Sequence, residues 1–141
     1  RGSGFGPEVK RRLLLGTAIL REDRYETYYR QALRVRALIR RDYEKAFGRF
    51  DLLLGAVTPT AAYRLGEKKD DPLAMYHHDI CILPGPLAGV PGLSFPCGLS
   101  AAGLPLGVQL TAAPFNEAIL FRAAYQLEQE RGPVPLRPAA L

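Results

Sequence analysis

Residues 93–112, LSFPCGLSAAGLPLGVQLTA, place two apolar runs on either side of Ala101-Ala102-Gly103. Such runs around a small-residue turn predict two strands, LSFPCGLS (93–100) and LPLGVQLTA (104–112). Pro96 has no N–H to give to a ladder, so the first of them is expected at a sheet edge or a bulge. Upstream, DLLLGAV (51–57) is a short continuous apolar run closed by Thr58-Pro59-Thr60, which predicts a buried strand opening into a loop. Between these strands, CILPGPLAGVPGLSFP (81–96) is rich in Pro and Gly. Few of its backbone groups can enter regular ladders, so it reads as a rigid wall or crossing segment.

The flanking segments read as helices. PEVKRRLLLGTAIL (7–20) has a proline at its start, an acid in its first turn and the apolar cluster Val9, Leu13, Leu14, Ile19 and Leu20, with Gly16 as its imperfection. In RYETYYRQALRVRALIRRDYEKAFGRF (24–50), a repeat of about 100° per residue puts Tyr25, Tyr28, Ala32, Val35, Ile39, Tyr43 and Phe47 on one face. Arg30, Arg34, Arg41 and Lys45 share the opposite face. Asp71-Pro72 has the form of a capped helix start, giving a short helix through Leu73, Met75 and Tyr76 towards Ile80. NEAILFRAAYQLEQE (116–130) is expected as a helix with Asn116 at its cap and Ile119, Leu120, Ala123, Ala124 and Leu127 facing inward.

The predicted order is helix, long helix, strand, short helix, strand, strand, helix, an α/β arrangement. Residues 1–131 form the domain, and GPVPLRPAAL (132–141) is a loose extension. Three or four strands beside helices this large leave bare edges and an uncovered face, so the chain is expected to be part of something larger.

A chain of 141 residues with 48% apolar residues can build one sizeable core and is not of a disordered class. It has no apolar run of transmembrane length and no secretory-type leader, which makes it a cytoplasmic candidate with no membrane partner. The net charge of +5 is uneven: residues 10–49 hold twelve Lys or Arg against five Asp or Glu. That excess fits either an ordinary solvated helix face or an anionic partner such as RNA. Cys81 and Cys97 match no zinc or redox spacing and are expected to be buried free thiols.

The serines available as nucleophiles, Ser3, Ser94 and Ser100, lie in no nucleophile-elbow context. Cys97 with His77 or His78 would be a dyad without any activating setting. His77, His78 and Asp79 are adjacent and point different ways, which disfavours a common metal ion, and no glycine-rich phosphate loop is present. The stretch EKKDDPLAMYHHDI (67–80) still crowds two lysines, three aspartates and both histidines together. A carboxylate at Asp79 and a guanidinium at Arg12 could hold the ammonium and carboxylate ends of an amino acid. The plainer account of the same residues is a surface ion pair and a helix cap.

Several stretches in order, GFGPEVKRRLLLGT, YYRQALRVRALIRRDYEKAF, DDPLAMYHHD, LAGVPGLSFPCG, GLPLGVQL and PFNEAILFRAAYQLEQ, carry a family resemblance. From about Gly4 to Glu130 the chain resembles the C-terminal part of the A subunits of glutamyl-tRNA(Gln)/aspartyl-tRNA(Asn) amidotransferases, a branch of the amidase signature family. GFGPEVKRR and DDPLAMY are the discriminating motifs, while LAGVPG and FPCG are shared more widely among amidases.

The resemblance implies the last third of an α/β/α fold with a mixed central sheet. It implies hydrolysis of glutamine, with the ammonia passed on to amidate Glu-tRNA(Gln) or Asp-tRNA(Asn). The implied partners are the amidotransferase B and C subunits, glutamine, and tRNA through the complex. ATP and Mg would be used by the partner subunit, with no cofactor bound by this chain. The family's catalytic serine pair and lysine lie upstream of the matched region, so the 141 residues alone are expected to be inactive. By position in its motif, Arg12 corresponds to the arginine that binds the α-carboxylate of glutamine. Asp79 likewise corresponds to the aspartate that binds its α-ammonium, with Asp70, Asp71 and Pro72 fixing the loop geometry.

Three positions depart from the pattern. Pro86 stands where an asparagine is usual, Ala56-Val57 replaces part of a Gly-Pro-Thr turn, and Thr111-Ala112 replaces a glycine-ended strand.

Overall fold

A computed structural model describes residues 4–67 and 76–132. The chain divides into two compact units, Arg1–Leu38 and Ile39–Leu141. The predicted start of the short helix at Asp71-Pro72, with Asp70, Leu73 and Met75, lies outside the described residues, as does most of the C-terminal extension.

In the first unit, helix α1 (Pro7–Ile19) begins at an extended Gly6, with Pro7 where an N–H would have no partner and Glu8 in the first turn. Gly16 does not interrupt it. A turn at Arg21, whose carbonyl accepts from the backbone N–H groups of Arg24 and Tyr25, leads into α2 (Glu22–Arg24) and then a π-helical segment, Tyr25–Arg30. α3 (Gln31–Phe47) follows directly, and the division between the units falls within it after Leu38.

The π-helical segment corrects the uniform period expected of this region. Its i→i+5 bonding turns the chain by less per residue than an α-helix does, so side chains on either side of it fall out of phase. Tyr25, Tyr28 and Val35 are exposed, as is nearly every described residue of the first unit, and of the predicted face Ile39, Tyr43 and Phe47 are half-buried. Tyr25 stacks on Tyr29 instead, with ring centroids 4.9 Å apart.

In the second unit, β1 (Leu52–Ala56), β2 (Gly92–Leu99) and β3 (Pro105–Ala112) form an antiparallel sheet in the order β1-β3-β2. Among the described residues β1 is thus an edge strand, and Leu54 is 66% exposed where a buried run was expected. Ser100 closes the β2–β3 turn: its backbone N–H donates to the Leu104 carbonyl and its hydroxyl accepts from the Leu104 N–H. Gly103 supplies the left-handed residue there, with φ 77°.

β2 has the bulge that Pro96 foreshadowed. Pro96 faces Gly107 and Gly98 faces Leu106, leaving Cys97 unopposed. This overturns the expectation of two buried thiols: Cys97 is exposed and Cys81 half-buried, both free.

Register fixes the two sheet faces, because residues directly opposite across a ladder share one. Leu52, Leu93, Phe95, Leu110 and Ala112 lie on one side. Helix α5 (Glu117–Arg131) covers that side and contributes Leu120, Ile119, Ala123 and Ala124 to the same core. Ala112 and Leu120 are its most deeply buried members, at 0% and 2% exposure. Asn116 occupies the cap position of α5, as expected, but its side chain makes no capping hydrogen bond. Leu53, Gly55, Ser94, Gln109 and Thr111 lie on the opposite face.

The Pro/Gly-rich stretch contains a helix that the sequence pattern does not announce, α4 (Pro84–Ala88). Pro84 starts it and Gly89, at φ 76°, ends it in the left-handed conformation, donating to the carbonyls of Gly85 and Pro86. No helix of the described residues is long and apolar enough to cross a membrane.

Candidate functional site

Arg12 and Asp79 belong to different units. Arg12 sits in the second turn of α1, where residues four apart are neighbours on the helix surface. Its Nε donates to Glu8 Oε1 at 2.8 Å, while Arg11 Nε donates to Glu8 Oε2 at 2.9 Å. The Arg12 and Arg11 guanidinium groups hold the Glu8 carboxyl below the ordinary glutamate value of 4.5. Glu8 therefore stays ionised and orients the arginine by its Nε edge.

Asp79 opens a one-turn 3-10 helix, Asp79–Cys81, continuing a helical turn over 76–78. Its carbonyl accepts from the N–H groups of Ile82 at 3.0 Å and Leu83 at 2.9 Å, which makes the turn a rigid lead into α4. Just upstream, the His78 ring lies 5.1 Å from the Tyr63 ring, so the loop after β1 buttresses the same turn. Asp79 is half-buried. Sequence reasoning does not pick out Tyr63 or Gln109. Gln109 Nε2 donates to the carbonyls of Ala56 at 3.0 Å and Cys81 at 2.6 Å. The available signal was an amide inside the otherwise apolar run of a central strand.

Beside the turn, Ile82, Pro86, Val90, Ser94, Gln109 and Thr111 line a cavity of about 310 Å³. A second cavity, of about 280 Å³, shares Gln109 and Thr111 and includes Tyr43 and Cys81. Burial raises the Tyr43 phenol above its ordinary value of 10.0. The second cavity is lined by Cys81 of the Asp79–Cys81 turn and the first by Ile82 directly after it, where Pro86 contributes no side-chain donor.

Other groups weighed from the sequence are placed elsewhere. Among the described residues no group of three His, Cys, Asp or Glu could hold a metal ion. Cys97 directs its thiol to the Leu106 carbonyl, 3.5 Å away. On the basic helix, Arg30 pairs with Glu26 at 3.1 Å and Lys45 with Asp42 at 3.8 Å, while Arg34 donates to Gln31 at 3.3 Å. Those three cations are engaged on their own helix.

The family model for amidases matches residues 1–121, and the chain belongs to the amidase family. Among curated relatives it is 57% identical over 129 residues to the A subunit of glutamyl-tRNA(Gln) amidotransferase from Moorella thermoacetica, covering 92% of this chain and 26% of that protein. It is 53% identical over 139 residues to the corresponding protein of Anaeromyxobacter sp., covering 98% of this chain and 28% of the relative. The crystal structure of the A subunit of glutamyl-tRNA(Gln) amidotransferase from Thermotoga maritima superposes with a TM-score of 0.74 at 35% identity, over 96% of this chain and 31% of that one. The structure of 6-aminohexanoate cyclic dimer hydrolase matches with a TM-score of 0.61 at 28% identity, over 75% of this chain and 24% of that one. The chain thus spans roughly a quarter to a third of the length of the proteins it matches.

Proposed function

We propose that this chain is the C-terminal part of the glutaminase subunit of a tRNA-dependent amidotransferase. In this reading it contributes Arg12 to the α-carboxylate of glutamine and Asp79 to the α-ammonium. Arg12 presents a planar, permanently charged fork suited to a carboxylate, and Asp79 presents the charge an ammonium needs. The observation that carries the reading is the 57% identity over 129 residues to the A subunit of such an enzyme, with a second such subunit 53% identical over 139 of the 141 residues, a match long enough to include both motifs. The nucleophile and its bases would come from the preceding part of the same polypeptide. The ammonia would pass to the B subunit of a complex that also holds the C subunit, and ATP and Mg would act there to activate the side-chain carboxylate of the tRNA-bound glutamate or aspartate. The setting would be cytoplasmic.

Two measurements test it. The intact mass of the natural polypeptide carrying DDPLAMYHHD should be several-fold above 15.5 kDa, and a mass near that value would defeat the reading. In the assembled enzyme, Asp79→Ala should raise KM for glutamine roughly a hundredfold, the order expected when one partner of a desolvated charge pair is removed. An unchanged KM would move the assignment to an amidase for other amides.

A further inference from the structure

Gln109 joins three pieces of chain that are remote in sequence. It lies in mid-β3 on the face opposite α5, between Gly55 of β1 and Ser94 of β2. A Cβ built at Gly55 would sit 4.0 Å from both Cγ and Nε2 of Gln109, so the glutamine side chain runs across β1 at its glycine. From there Nε2 reaches the carbonyl of Ala56, the last residue of β1, at 3.0 Å, and that of Cys81, the last residue of the 3-10 turn, at 2.6 Å. An amide NH₂ has two hydrogens, one for each of these acceptors.

The restraint does not stop at Cys81. The Asp79 carbonyl takes both the Ile82 and Leu83 N–H groups, so a fixed Cys81 means a fixed Asp79. We propose that Gln109 is a positioning residue for Asp79, its side-chain amide stapling the turn that carries the aspartate to the end of β1 and the middle of β3. This rests on the reading of Asp79 as the group that meets the substrate ammonium. Few side chains could replace it. Glutamate would set a carboxylate against two carbonyl oxygens, methionine would fill the space without donating, and asparagine is one methylene short of spanning both acceptors.

The test uses the full-length protein in its assembled enzyme, with Gln109→Met, Gln109→Asn and Asp79→Asn. Three readouts are taken: hydrogen exchange at the Ile82 and Leu83 amides, KM and kcat for glutamine, and inhibition by glutaramate, which keeps the carboxylate and amide of glutamine but lacks its ammonium. Gln109→Met should speed exchange at both amides and raise KM for glutamine about tenfold. It should leave kcat within about twofold and the glutaramate inhibition constant unchanged.

Equal weakening of glutamine and glutaramate, or a fall in kcat with KM constant, would mark a merely structural role and overturn the proposal. So would unchanged exchange. If Gln109→Met does not fold, Gln109→Asn is read by the same criteria. Asp79→Asn separates the two levels: an unchanged glutamine KM there sinks the ammonium assignment and this proposal with it. A raised KM with Gln109 variants at wild-type values sinks this proposal alone.

Discussion

Glu8 is shared by two arginines, and its depressed titration follows from them. A carboxyl whose folded value is lowered contributes its pairing energy above the ordinary glutamate range and loses it as pH falls through the lowered value. NMR titration of the Glu8 carboxyl should therefore give a midpoint below 4.5. In an Arg12→Ala variant the midpoint should move back up towards that value. Arg12→Lys keeps the charge but not the fork, and in the assembled enzyme it should raise KM for glutamine about tenfold with little change in kcat. The sequence nominates Arg12 and Asp79 as candidates for the proposed clamp because each stands in a short motif. It does not nominate Gln109, whose meaning lies in two carbonyls that only the folded sheet and turn bring to it.

Helix α4 shows how a stretch can be read correctly in its chemistry and wrongly in its form. Pro84 and Gly89 were both visible, yet as a start and stop signal five residues apart they were outweighed by the density of other breakers around them. A Cβ at Gly89 would meet no atom within 4 Å, so its requirement for glycine is purely one of backbone conformation. Gly89→Ala should cost roughly 1–2 kcal/mol, the strain of a left-handed alanine, measured by chemical denaturation. The helix on the other face depends on packing instead. Leu120→Ala removes the large side chain at the centre of the α5–sheet core and should cost about 2–4 kcal/mol. β2, β3 and most of α5 were readable because local pattern and tertiary burial agree there, whereas Leu54 of β1 and Leu127 of α5 are exposed against the pattern. The phase of the long helix was not, because six π-helical residues carry no signature in the hydrophobic period.

Exposure across the chain matches the expectation, drawn from a small sheet beside large helices, of faces left open. Phe121 and Tyr125 on α5 and Leu54 on β1 are among many large apolar side chains in contact with solvent. Among the described residues, β1 and β2 each pair on one side only. An apolar edge strand invites pairing with another chain. Purified alone, the 141 residues should self-associate with rising concentration, and Leu54→Lys should reduce that association in sedimentation experiments without lowering the unfolding midpoint. The same preparation should release no ammonia from glutamine.

The strand order β1-β3-β2 also sets a timetable. β2 and β3 meet through a five-residue turn as soon as both leave the ribosome, but Ala56 must wait for Val108, roughly fifty residues later. At a synthesis rate of about 5–20 residues per second, that is roughly 3–10 s during which Leu52, Leu53 and Leu54 lack their β3 partners. The interval is long enough for a chaperone to bind, and synonymous codons that slow translation between residues 57 and 104 would lengthen it.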